Sequence, residues 1–128
     1  MCLYIDDKVE IKFNDEGWIW GTKMVINQNN VVFSPFYTYF IWQPGWNISQ
    51  DHSPPPNENG VINSGIHVYL DHTNEKQIFS MLICRVKCYK EDLIGVGHDY
   101  VGNKCAVFKR VWMDEEEYNS IIYEKSKI

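Results

Sequence analysis

His67 and Tyr69 alternate along one short run, GIHVYL, and Arg85, Lys87 and Tyr89 alternate along another, LICRVKCY. If the two runs are neighbouring strands, an imidazole, two phenols and two cations share an open polar surface able to hold a nucleotide or another anion. An ADP-ribosyl-transfer type of site would also want a carboxylate on a late strand, and CAVFKRVWM supplies none. The chemistry on offer is therefore recognition more than catalysis.

Other reactive types fit no site. Cys84 and Cys88 lie four positions apart, ~13 Å along a strand at ~3.3 Å per residue. Tetrahedral zinc needs its ligands much closer, so both read as small core side chains. Cys105 opens an apolar run, and nothing brings it beside His67 or His98 as a thiol–imidazole nucleophile requires. Gly95-Val96-Gly97 lacks the third glycine and following helix of a phosphate-binding turn. Neither a metal nor a cofactor is expected.

Seven aromatic residues fall between positions 33 and 46: Phe33, Phe36, Tyr37, Tyr39, Phe40, Trp42 and Trp46. A strand over Phe36 to Ile41 covered on both faces accounts for most of them. Trp42 and Trp46, flanking Pro44-Gly45, are the rings that strand geometry leaves over, and they are the expected partner anchors. Phe108, Arg110 and Trp112 alternate on the last strand, an arrangement suited to cation–π packing or to an interface.

The formal net charge is −5, which argues against general binding of a phosphate backbone. Acidic residues gather at 6–16 and again at Asp114, Glu115, Glu116 and Glu117, while Arg85, Lys87, Lys90, Lys104, Lys109 and Arg110 make the segment between locally basic. No basic-plus-apolar leader and no run of ~18 apolar residues is visible, so an intracellular chain with reduced thiols is the expectation, with no membrane partner.

The elements that must position these groups follow from pattern. A strand or hairpin is expected over Leu3 to Phe13, then strands over Trp18 to Ile26 and Val31 to Phe33, joined by polar turns. Residues 47–60, NISQDHSPPPNENG, have the composition of an exposed loop. Beyond it lie a strand over Gly65 to Leu70, a short helix over Asn74 to Ser80, and a strand over Met81 to Tyr89. A glycine-rich reversal, GVGHDYVGNK, leads to a last strand over Cys105 to Met113 and a helix over Glu115 to Lys125 capped by Asp114. The sum is one α+β domain of 128 residues, a mostly antiparallel twisted sheet with one short helix and a C-terminal helix packed on one face.

The stretches VVFSPFYTYFIWQPGWNIS and GIHVYLD through CAVFKRVWM resemble short uncharacterised proteins of phages and other mobile elements, over about residues 20–113. The resemblance implies a small accessory protein acting on host machinery, a class that includes anti-CRISPR inhibitors of bacterial defence. The expected function is inhibition or modulation of a host protein, including a nucleic-acid-binding one, through Trp42, Trp46, Asp114, Glu115 and Glu116. The alternative is a nucleotide-binding protein or enzyme centred on His67, Tyr69, Arg85 and Lys87.

Overall fold

The computed structural model describes residues 3–34, 40–49, 60–62, 65–70 and 81–123. Among these, ten strands are formed: β1 (Leu3–Ile5), β2 (Trp18–Gln28), β3 (Val31–Phe33), β4 (Gly45–Ile48), β5 (Val61–Ile62), β6 (Ile66–Tyr69), β7 (Leu82–Tyr89), β8 (Leu93–His98), β9 (Lys104–Phe108) and β10 (Arg110–Met113). Helix α1 (Glu115–Tyr123) follows. The strands form one sheet in the order β4-β10-β7-β2-β6-β9-β8-β1-β5, with β3 also paired to β2. The pairings are antiparallel. With a C-terminal helix against β7 and β3, the class is α+β, as the pattern predicts. The short helix expected over Asn74 to Ser80, residues 35–39 of the aromatic run and residues 50–59 of the proline-rich loop lie outside the described residues.

Strand β2 is the spine. It pairs with β7 from Trp18↔Tyr89 to Val25↔Leu82, and on its other edge with β6 and then β3. The β2–β3 hairpin closes through Asn29 and Asn30, both at positive φ (55° and 63°). Two such residues in succession match the right-handed twist of the flanking strands, and Asn adopts this conformation readily.

Two apolar clusters lie on opposite faces of the sheet. The main core gathers Val25, Val32, Trp42, Ile66, Val68, Val86, Ala106, Phe108, Val111 and Met113, closed by Ile121 of α1. The second gathers Leu3, Met24, Ile62, Tyr69, Cys105 and Val107. Because successive side chains of a strand point to opposite faces, β6 and β9 contribute to both clusters and are buried throughout, apart from Lys104. Asn27 ties the helix to the sheet: its Nδ2 donates to the carbonyls of Ile121 (3.0 Å) and Ile122 (3.2 Å), which belong to the helix's last turn.

Four expectations are corrected. Regular pairing at the N-terminus stops at Ile5, and residues 6–17 run irregularly, with Ile11 and Phe13 packed on the main core. The reversal drawn over GVGHDYVGNK is a strand through His98. Gly97 stands there because β1 passes so close that any Cβ would strike the Tyr4 carbonyl. The chain reverses at residues 99–103, where the Asp99 carboxylate accepts from the Val101 and Asn103 amides (3.1 and 2.8 Å) and from Asn103 Nδ2 (3.0 Å). The single last strand is two, broken at Lys109, so Phe108 enters the core while Arg110 and Trp112 face outward. The loop begins later than composition suggests, since Asn47 and Ile48 belong to β4. The Asn47 side chain bonds Gln43 N and O, which secures the strand's entry.

Candidate functional site: a tryptophan and cation face

Register places four side chains in one row across four strands. Trp46 of β4 lies opposite Trp112 of β10, Trp112 opposite Lys87 of β7, and Lys87 opposite Trp20 of β2. Trp18 and Tyr89 form the next pair along β2 and β7, and Thr22 with Arg85 the pair on the other side. All of these project from the side opposite the main core, because Ile19, Gly21, Val86, Cys88, Val111 and Met113 take the alternate positions. The tryptophans here are half-buried and Arg85 is exposed.

The rings meet edge to face, as their quadrupoles prefer. Trp18 and Trp20 stand 5.1 Å apart at 83°, and Trp46 and Trp112 stand 5.3 Å apart, also at 83°. Tyr89 leans on Trp46 at 5.5 Å. Each indole pair carries a guanidinium: Arg85 sits 4.1 Å from the centroid of Trp20, and Arg110 sits 3.9 Å from that of Trp46. Lys87, between the pairs, is 5.0 Å from Trp18 and 5.6 Å from Trp20. Such contacts contribute ~0.5–1 kcal/mol each at exposed sites, enough together to hold the long side chains in place.

Carboxylates rim this face. Asp114 accepts from Trp112 Nε1 at 3.0 Å and lies 3.6 Å from Lys87 Nζ. Asp92, buried in a 3-10 turn, accepts Arg110 Nε with both oxygens at 3.1 Å. Glu91 reaches Arg110 Nη2 at 3.9 Å, Glu16 accepts from Trp18 Nε1 at 3.2 Å, and Glu117 accepts the Arg85 amide at 2.9 Å. An open groove lined by Glu16, Gly17, Tyr89, Lys90 and Glu91 adjoins it.

The expected site residues separate. Trp46, Arg85 and Lys87 stand on this face, Asp114 is at its rim, and Glu115 and Glu116 are exposed in the first turn of α1. Asp114 turns its carboxylate to Trp112 and Lys87. Trp42 does not stand on the face. It is 1% exposed in the main core, against Phe40 (5.0 Å), and its Nε1 donates to Ser34 Oγ at 2.9 Å. The expected His67–Tyr69–Arg85–Lys87 surface does not form either. Strand β2 separates β6 from β7, and His67 and Tyr69 are 3% and 5% exposed beside the second core. The His67 ring contacts the Ile62 carbonyl through Nε2 (3.0 Å) and the Gly65 carbonyl through Nδ1 (3.3 Å). Burial lowers its pKa from 6.5 to about 4.

The cysteines behave as the spacing predicts. Cys84, Cys88 and Cys105 are buried, and burial pushes the thiols of Cys84 and Cys88 up to about 12, far from a reactive thiolate. Opposite Cys84, burial lowers Lys23 to about 8, and its Nζ donates to the His67 carbonyl at 2.7 Å. Among the described residues no group of His, Cys, Asp and Glu is placed to hold a metal ion.

Trp18 and Trp20 are the residues that sequence reasoning passed over. Their signal was present: Trp-Ile-Trp alternates on a strand, and such a pair must find cover or lie open. No helix among the described residues is long and apolar enough to cross a membrane. No protein-family model, curated protein or solved structure matches the chain.

Proposed function

We propose that the chain is a small binding protein, of the kind mobile elements direct at host machinery such as bacterial defence systems, and that it modulates a larger host protein by docking through the tryptophan and cation face. The observation that carries this reading is the run of four tryptophans, one tyrosine and three cations across strands β4, β10, β7 and β2, left on the outside of the main core. Trp, Tyr and Arg are the side chains that dominate binding hot spots: Trp and Tyr bury much area for little lost rotamer entropy, and Arg adds a planar fork of donors that also stacks on rings. Their mutual stacking pre-organises them, which lowers the ordering cost of association.

The carboxylate rim supports a protein partner over a nucleic acid. A phosphate backbone laid over the face would meet Glu16, Glu91, Asp114 and Glu117, whereas a protein with basic groups at matching positions would be steered by them. Glu115 and Glu116, exposed beside the rim, extend the same acidic field.

The test is capture from a bacterial host lysate by the immobilised full chain, with mass spectrometry and then reconstitution from purified components. A partner retained by the wild type is expected to be lost with Trp46→Ala combined with Trp112→Ala, and weakened by Glu115→Lys with Glu116→Lys. A partner held equally by both double variants, each folded, would sink the proposal.

A further inference from the structure

The face contains the same unit twice, and the two copies differ in one respect. In the first, Arg110 stacks on Trp46 at 3.9 Å and its Nε is received by both oxygens of Asp92, with Glu91 beyond. In the second, Arg85 stacks on Trp20 at 4.1 Å. Among the described residues no carboxylate receives its guanidinium, although that side chain is the exposed one. Two acids of the rim are engaged elsewhere: Glu117 on the Arg85 main-chain amide, and Asp114 on Trp112 and Lys87.

We infer that Arg85, backed by Trp20 and flanked by Lys87, is the receptor for a side-chain carboxylate of the protein partner, which takes the place there that Asp92 takes on Arg110. The inference rests on the binding role proposed above and adds to it the chemistry of the group received. A guanidinium held 4.1 Å over an indole loses much of its side chain's freedom, and its planar donors form the fork that a carboxylate matches with two parallel bonds. Lys87 shares the Trp20 ring at 5.6 Å and supplies a second positive charge on the same side.

Local charge selects the kind of anion. Asp114 offsets Lys87, while Glu117 engages the Arg85 main-chain amide and leaves the guanidinium unpaired, so the site offers unsatisfied donors with about one positive charge in excess. That balance suits the single charge of Asp or Glu and penalises the double charge of a phosphate monoester. The apolar surroundings suit an aromatic residue beside the acid, because Trp20 and Trp112 flank Lys87 in one row and Trp18 meets Trp20 edge to face.

The experiment is a nuclear magnetic resonance titration of the full, ¹⁵N-labelled chain with three blocked dipeptides: acetyl-Trp-Glu-amide, its Gln analogue and its phosphoserine analogue. The Glu peptide is expected to shift the Arg85 Nε–H and Trp20 Nε1–H signals saturably. The Gln peptide is expected to bind at least tenfold more weakly, and the phosphoserine peptide no more tightly than Glu. Arg85→Gln, with a dispersed spectrum, should abolish the difference between Glu and Gln. Equal affinity for Glu and Gln, shifts centred on Arg110 instead of Arg85, or no shift at tens of millimolar would overturn the inference. Tenfold preference for phosphoserine would reassign the site to phosphate. These outcomes are separable from the docking role: a reconstituted partner lost with the Trp46 and Trp112 variants but held unchanged by Arg85→Gln would leave docking intact and remove the carboxylate receptor.

Discussion

Lys87 and His67 show how much one position's surroundings decide. Lys87 alternates outward on β7, and its ammonium serves two indoles and the Asp114 carboxylate. His67 alternates equally well on β6, but a second apolar cluster covers that side, so the ring ends beside backbone carbonyls with its pKa lowered to about 4. A neutral imidazole in the fold and an ordinary one in the unfolded chain have a definite consequence for stability. Between pH 6.5 and 4 the unfolded chain binds a proton that the folded chain refuses, so stability is full above 6.5 and is lost as pH falls through this window. The loss attributable to His67 is ~3 kcal/mol at most, since each tenfold change in proton affinity is worth ~1.4 kcal/mol. Urea midpoints at pH 7 and pH 4.5 check it. His67→Gln should start less stable at pH 7 and fall more shallowly, and equal falls for variant and wild type would remove His67 as the cause.

Strand positions were legible where the pattern was strong. Val31 to Phe33 and the run ending at Tyr89 stand where alternation and polar turns put them, and α1 begins at Glu115 behind an acidic first turn. The errors came where glycine has two meanings. Gly97 reads as a turn residue from its type, yet it serves a close approach between β8 and β1. Gly97→Ala is therefore expected to cost on the order of 1–3 kcal/mol through overpacking and to free β1. Amide hydrogen exchange at Leu3 to Ile5 and at Asp6, whose N–H bonds the Val96 carbonyl, is the measurement, and protection unchanged from wild type would refute the close-approach role. The break at Lys109 was equally hidden. CAVFKRVWM holds no glycine or proline to mark a break, and only pairing with two different pairs of strands, β6 and β8 on one side of the break and β4 and β7 on the other, divides it.

At the scale of the molecule, β6 and β9 belong to both apolar clusters, so neither cluster can be lost without the strands that build the other. Unfolding is accordingly expected to be a single cooperative transition. Val86→Ala in the main core and Val107→Ala in the second should each lower one common midpoint, by roughly 1–3 kcal/mol of stability. Tryptophan fluorescence and far-ultraviolet circular dichroism should report coincident curves, and separated curves in either variant would show two independent units.

The sequence by itself determined the α+β class, the polarity of most strands, the inert character of the cysteines and the presence of more aromatic surface than one strand can hide. Each of these depends on residue type and on a period of two or 3.6, which are local properties. It could not determine which tryptophans remain outside. Trp42 and Trp46 flank the same Pro-Gly turn, yet one fills the main core and the other stacks under Arg110. Nor could it bring Trp18 and Trp20 beside Arg85 and Lys87, more than sixty positions away. Burial and cross-strand register arise from which strands become neighbours, and that is settled only when the whole sheet closes on its two cores.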